Sequence, residues 1–370
     1  MALKPIYIVL PPGEMYSPLN AGAVAIVVNS MSELSTLHPH IIGSECKEPF
    51  PCGTFTAVKP FLYRFRSRSR AYAGSCKSLL RQQEAGVVEV HNRIPLFLYL
   101  YSKLKQHAFC LYLHNDPQGM KGAKTSQERQ ALLEKASTIY VVSEYIKRRF
   151  MEGVTVGGEK VHVLYNGINA LQQDVPLAKQ QQIIFVGRMI PEKGALEFAK
   201  ALKEVLPNYL AWKAIFIGAR QFGNTTPTTA YEKEVLEELK SLGSQIEYMN
   251  ALPHKEVMQN YRVSEIAVVP SICNEAFGRT ALEAMISHCA LISSDRGGLK
   301  EVVGDTAMIV DPQSPASIAS AIQKVILQPV MRNKLRVCAY ERAVKYFDQS
   351  EIVSKHDKIR QVIMATSLKQ

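Results

Sequence analysis

Residues 183–202 read IIFVGRMIPEKGALEFAKAL and hold a complete strand–turn–helix unit. Ile183–Val186 is a short apolar run rich in β-branched residues, the signature of a buried strand. Gly187 follows and lets the backbone turn tightly. From Lys193 and Gly194 onward the apolar residues recur at helical spacing. A buried strand that passes through a glycine turn into an amphipathic helix is the repeating unit of parallel α/β folds.

The same alternation runs along the chain. Before this unit lie Ile6–Leu10, Val87–Val90, Phe109–Leu113, Thr138–Val142 and Val161–Leu164, and after it Ala214–Ile217, Ile266–Val269, Ala290–Ile292 and Ala307–Val310. Segments such as 193–206, 229–242 and 278–288 have helical length and spacing. The stretch 168–181 is polar, contains Pro176 and lacks apolar periodicity, so it reads as a joint. The expectation is two doubly wound α/β domains in tandem, consistent with 370 residues at about 100–200 per domain. Ligands of such sheets sit at the carboxyl ends of the strands.

Composition narrows the function classes. With 47% hydrophobic and 21% charged residues the chain is an ordinary globular protein. No apolar run reaches the roughly 18 residues that span a bilayer. The opening MALKPIYIVLPPGEM has an apolar run too short for a signal-peptide core, so a cytoplasmic location is expected. Cys46, Cys52, Cys76, Cys110, Cys273, Cys289 and Cys338 show no C-x-x-C spacing and read as idle thiols. The net charge is +11, with 20 basic against 12 acidic residues in 1–170 and 24 against 21 in 171–370. A basic first half suits an anionic partner.

Two loops carry candidate chemistry. In the first, Arg188 and Lys193 lie between a strand and a helix N-terminus, an arrangement that suits a diphosphate. The plainer reading is two surface cations beside an ordinary turn. The second is SICNEAFGRTALEAM, 271–285. Here a strand ends near Pro270, and Gly278 or Arg279 opens a helix whose apolar face holds Ala281, Leu282 and Met285. Glu275 precedes the helix and Glu283 lies more than a turn inside it, so they do not read as a close acid–base pair. They suit two acceptors for different hydroxyls of one elongated ligand, with the amides of Phe277, Gly278 and Arg279 between them. The alternative is a dipole-favouring Glu275 and a solvated Glu283.

Gly187-Arg188 with Lys193, and Glu275 with Glu283 at E-x7-E spacing, together resemble the retaining nucleotide-sugar glycosyltransferases of family 4, which have the GT-B fold. VLYNGI (163–168), PHKEV (253–257), VVPS (268–271) and RGGLKEVVGD (296–305) agree in order. LHNDPQGMKGA (113–123) and VEVHNRI (88–94) are similar to sugar transferases of bacterial lipopolysaccharide-core assembly. The resemblance implies an α/β, GT-B architecture: two Rossmann-like doubly wound domains facing a central cleft. Residues 1–168 plus 348–370 would form an acceptor-binding domain and 169–347 a donor-binding domain, with a final helix over 346–363 crossing back onto the first.

The resemblance also implies site roles. Arg188 and Lys193 would hold the donor diphosphate, Glu283 the ribose and Glu275 the donor sugar. Gly187, Phe277, Gly278, Arg279 and Thr280 would complete the donor site. His114 would face the donor sugar, and Gly22 would let backbone approach the phosphate and acceptor. Two departures stand out: Asn20-Ala21-Gly22 replaces a glycine pair, and Ala276 replaces a Pro or Gly. The expected activity is metal-independent transfer of a hexose-type sugar from a UDP- or GDP-sugar to a glycan or glycolipid, in lipopolysaccharide or other cell-surface polysaccharide assembly. No resident cofactor is expected, no Asp-x-Asp occurs, and no nucleic-acid module is recognised. The alternatives are a nucleotide-sugar 2-epimerase of this fold and a non-catalytic nucleotide binder.

Four histidines and a basic run remain. His91 ends a strand, where core packing and ligand contact are both open. His38-Pro39-His40 reads as a surface loop, and His254 as lying beside a base pocket. FLYRFRSRSR, 61–70, places Arg64, Arg66, Arg68 and Arg70 in alternation. It reads as a solvated basic loop or as a patch for an anionic acceptor or the anionic inner face of the plasma membrane.

Overall fold

In the computed structural model, residues 4–59, 67–169, 178–219 and 229–367 are described. The β-branched runs pair as parallel strands because their side chains are apolar on both faces, which only a sheet covered by helices on each side can bury. The chain divides into two compact units, Met1–Gly167 with Gln349–Gln370, and Ile168–Asp348.

The first unit contains β1 (Ile6–Val9), α1 (Ala23–Leu34), β2 (His40–Ser44), β3 (Thr54–Val58), α2 (Arg68–Arg81), β4 (Val87–His91), α3 (Ile94–Lys103), β5 (Ala108–Leu113), α4 (Ser126–Lys135), β6 (Thr138–Val141), α5 (Glu144–Met151) and β7 (Val161–Val163). Its sheet order is β3-β2-β1-β4-β5-β6-β7. The second contains β8 (Gln180–Val186), α6 (Ala195–Val205), β9 (Lys213–Ile217), α7 (Ala230–Lys240), β10 (Ile246–Met249), α8 (His254–Val263), β11 (Ser264–Val269), α9 (Arg279–Ile286), β12 (Ala290–Ser293), α10 (Leu299–Val303), β13 (Met308–Ile309), α11 (Pro315–Leu327) and α12 (Pro329–Phe347). Its sheet order is β10-β9-β8-β11-β12-β13. The last helix, α13 (Gln349–Ser367), belongs to the first unit. Both are Rossmann-like parallel sheets. The strand order reverses between β1 and β4 in one and between β8 and β11 in the other, and ligands of such sheets bind at those switch points.

Three local readings change. The final helix does not begin at 346: α12 ends at Phe347 and Asp348 is extended, with φ −60° and ψ 125°, so α13 starts anew. His40 opens β2, and its Nε2 meets Thr56 Oγ1 at 2.7 Å, so it is not a loop residue. Arg68 and Arg70 lie in the first turn of α2, not in a loop. Arg64 and Arg66 lie outside the described residues.

A buried charge cluster fastens α13 within the first domain. Glu89, in the middle of β4, is fully buried. It accepts from Arg360 Nε at 2.9 Å and Nη2 at 2.6 Å, and from His356 Nε2 at 2.9 Å. Arg360 also binds Asp357 at 3.0 Å, and Asp357 accepts from Ser35 Oγ at 2.9 Å. Burial disfavours ionised Glu89, but Arg360 and His356 hold its pKa well below the usual carboxylate range. Among the described residues no helix is long and apolar enough to cross a membrane.

Candidate functional site

At the β8/β11 switch point, close backbone contacts set the loop geometry. Gly187 N donates to Ile217 O at 3.0 Å, and a Cβ on Gly218 would sit 1.9 Å from Gly187 O. Pro191–Lys193 forms one 3-10 turn that ends at Gly194, with φ +70°. A Cβ at Gly194 would lie 2.1 Å from Pro270 O, so only glycine lets α6 start this close to the end of β11. The amides of Ile272 and Cys273 both donate to Glu192 O, at 2.9 and 3.2 Å. The two candidate loops are thus tied to each other through backbone.

That tie brings Lys193 onto Glu275. Lys193 Nζ lies 2.5 Å from Glu275 Oε1, and Ser271 Oγ donates to the same oxygen at 2.5 Å. Gly298 N donates to Glu275 O at 2.7 Å. A Cβ on Gly297, φ +62°, would meet Glu275 O at 2.5 Å. The glycine pair after β12 therefore clamps the backbone of Glu275. Arg188 is exposed and forms no ion pair among the described residues.

Gly278 caps α9 in the left-handed region, with φ +113°. A Cβ there would meet Leu299 Cδ1 at 2.6 Å. Phe277 is buried, with its ring edge-on to Phe347 at 5.6 Å, and Thr280 is half-buried in the first turn of α9. Glu283, in the second turn, is 6% exposed. Its Oε1 accepts from Arg279 Nη2 and from His254 Nε2, both at 2.9 Å. Burial raises its pKa, but the Arg279 guanidinium and the His254 hydrogen bond outweigh this and bring it to about 2. Glu283 is therefore ionised at neutral pH.

The two carboxylates share one pattern. Each takes its protein donors on Oε1, and among the described residues Oε2 accepts from none. The pairing cations prevent the site from being a bare acid pair, while the second oxygens remain as acceptors. The amide of Leu196 in the first turn of α6 differs from the sequence expectation, because it donates to Tyr231 OH at 3.1 Å. Tyr231, the Gly297-Gly298 clamp and the direct His254–Glu283 bond were not read from the sequence. The glycine pair was a usable signal, but nothing local marked Tyr231.

At the β1/β4 switch point the groups are the chain's own. Gly22 caps α1, and the space where its Cβ would lie holds the Glu14 carboxylate, with Oε1 2.4 Å from that position. Glu14 Oε1 accepts from Ala25 N at 2.9 Å. Burial raises the Glu14 pKa against the lowering effect of that bond. Glu14 thus sits where Gly22 was expected to admit a phosphate. His114 follows β5. Its amide donates to Asn92 Oδ1 at 3.2 Å, and its Nε2 lies 3.0 Å from Nδ1 of the buried His91. The rings of His91 and His114 both stack on Tyr112.

Comparison with known proteins matches both domains. Residues 22–170 fit the profile described as Glycosyltransferase Family 4, and residues 168–342 that described as Glycosyl transferases group 1. The chain carries the two domains of a group 1/family 4 glycosyltransferase. Gly22, His91 and His114 of this glycosyltransferase lie in the first match, and Arg188, Lys193, Glu275 and Glu283 in the second. It is 24% identical over 260 residues to the lipopolysaccharide 1,2-N-acetylglucosaminetransferase of Salmonella typhimurium, covering 66% of this chain and 64% of that enzyme's length. In fold it is similar to sucrose-phosphate synthase from Thermosynechococcus elongatus, with TM-score 0.78, 17% identity, and 98% of this chain and 100% of that one covered. It is also similar to Anabaena HepE in complex with UDP and glucose, with TM-score 0.74, 16% identity, and coverage of 96% and 98%.

Proposed function

We propose that this glycosyltransferase transfers a hexose-type sugar from a UDP- or GDP-sugar to a glycan or glycolipid acceptor, with retention of configuration, in lipopolysaccharide or other cell-surface polysaccharide assembly. The observation that carries the reading is the pair of cation-held glutamates, each with Oε2 not taken by a described residue. Glu283 accepts from the ribose hydroxyls and Glu275 from the sugar hydroxyls. Arg188 and Lys193 face the diphosphate. A lysine ammonium has three N–H donors, so Lys193 can keep Glu275 and still reach a phosphate oxygen. The Salmonella relative supports the acceptor class, and the HepE complex supports UDP as the nucleotide.

In the reaction the bond from the sugar's anomeric carbon to the diphosphate breaks and a bond to the acceptor oxygen forms on the same face. The acceptor proton passes to a leaving phosphate oxygen. Charge grows on the diphosphate, where Arg188 and Lys193 are fixed in advance and a metal is not needed. The second domain, 169–347, is the donor side and the first, 1–168 plus 348–370, the acceptor side. The exposed Arg68 and Arg70 give the first domain a basic surface for an anionic acceptor or anionic lipid.

The test is turnover with a panel of UDP- and GDP-sugars. Lys193→Ala and Glu275→Gln should each lower transfer by roughly 100- to 1,000-fold while circular dichroism and thermal midpoint stay close to those of the unsubstituted chain. Near-normal transfer in both contradicts the assignment. Interconversion of donor sugars without an acceptor would make the protein an epimerase, and binding without any conversion would make it a nucleotide binder.

A further inference from the structure

His91 is 1% exposed at the end of β4. Its ring lies 4.8 Å from Tyr112 and 5.2 Å from His114, and Tyr112 stacks on His114 at 4.6 Å with the planes only 7° apart. The Tyr112 hydroxyl donates to Leu164 O at 3.2 Å, which locks the ring that both imidazoles lie against. His91 Nδ1 is 3.0 Å from His114 Nε2, while His91 Nε2 is buried without a hydrogen-bond partner among the described residues.

One proton occupies the bridge between the two rings. If His91 carried its proton on Nε2, a buried N–H would have no acceptor. Orphaned N–H groups are rare, and an unmade buried bond costs about 1–3 kcal/mol. With the proton on Nδ1, only a lone pair is left bare, and His91 donates to His114. The surroundings keep His91 neutral: burial, with Arg360 and His356 of α13 beside it, outweighs the opposing Glu89 charge and lowers its pKa to about 3.

We propose that His91 is a positioning residue: its Nδ1–H occupies His114 Nε2 as acceptor and so holds His114 as the Nδ1–H tautomer, the reverse of the form that predominates in free histidine. The His114 proton then sits on Nδ1, so a group met through that nitrogen meets a donor, as a sugar oxygen requires. This consequence rests on the proposal that His114 faces the transferred sugar.

Nitrogen NMR of 15N-histidine-labelled full-length protein tests it. In the unsubstituted chain, His114 should show a protonated Nδ1 and an unprotonated Nε2 at neutral pH. His91→Phe keeps a ring in the stack but removes the donor, and His114 should revert towards Nε2–H. His91→Asn, whose amide donates from near the Nδ1 position, should restore the original pattern. A protonated Nε2 in the unsubstituted chain overturns the proposal, and that spectrum decides even where His91→Phe does not fold. An unchanged pattern in His91→Phe overturns it too. Partners that orient metal-bound histidines are worth roughly 10- to 100-fold. A kcat loss of that order in His91→Phe, with little change in KM and with recovery in His91→Asn, is expected. A tautomer that responds while kcat does not upholds the positioning and overturns the role of His114 in transfer.

Discussion

The two Rossmann-like domains present the same topological switch point with opposite electrostatics. At β8/β11 each carboxylate is held by a basic side chain, with one oxygen left as an acceptor, and Glu283 is ionised at neutral pH. At β1/β4 the groups are neutral or pushed towards neutrality: His91 by burial, and Glu14 by a raised pKa. One site suits a highly charged diphosphate beside polyhydroxyl groups. The other suits uncharged hydroxyl-bearing partners, and its helix N-terminus is already capped by Glu14. A shared sheet order decides where a ligand goes, and side chains distant in sequence decide what charge it can carry.

The largest effect that can break this contrast is on transfer itself. Arg188→Ala combined with Lys193→Ala should abolish measurable transfer, whereas Glu14→Ala should change it only a few-fold, as an activity assay at matched folded concentration would show. Comparable losses in both would mean that the first domain also handles the diphosphate.

Next comes stability. Arg360→Ala leaves Glu89 buried without its main cation, which should cost about 3–5 kcal/mol in denaturant unfolding. Arg279→Ala, in the second domain, should cost less because His254 still holds Glu283. Equal losses would erase the distinction between a structural and a functional charge cluster.

Acid separates the domains further. Among the described residues, burial lowers the pKa of His40, His91, His107, His162 and His356 in the first domain, and only of His288 in the second. A lowered histidine binds more protons when unfolded, so its stability contribution falls as pH drops below about 6.5. Glu283 acts later. With a native value of about 2, its contribution of roughly 3 kcal/mol is present above about pH 4.5 and is lost as pH falls towards 2. Hydrogen exchange should therefore show the first domain opening between pH 6.5 and 4.5, ahead of the second. Fluorescence of Trp212, the one tryptophan and a buried residue of the second domain, should hold until lower pH. Glu283→Gln should flatten the lower part of that curve.

The sequence carried the central strands because they are continuous apolar runs. It did not reveal β2, β3 or β10. HIIGS is short, TFTAV and IEYM are edge strands with partly exposed residues, and none is a clean run. The spacing of Glu275 and Glu283 pointed to separate hydroxyl contacts before any partner was visible. Their partners lie far off in the chain, Lys193 by 82 residues and His254 by 29, so only folding brings them together. The Glu14 carboxylate at Gly22 was likewise invisible, because an irregular loop has no periodicity to show where it folds back.

The central claim is that the second domain holds a nucleoside diphosphate sugar through Glu283 and the Arg188–Lys193 loop. Calorimetric titration of the full chain and of Glu283→Gln with UDP and GDP tests it most directly. The account predicts saturable binding of one of the two nucleotides, weakened about tenfold or more by Glu283→Gln, in keeping with loss of about 1.5–3 kcal/mol for a charged hydrogen bond. No binding of either nucleotide, or equal affinity in both proteins, would contradict it.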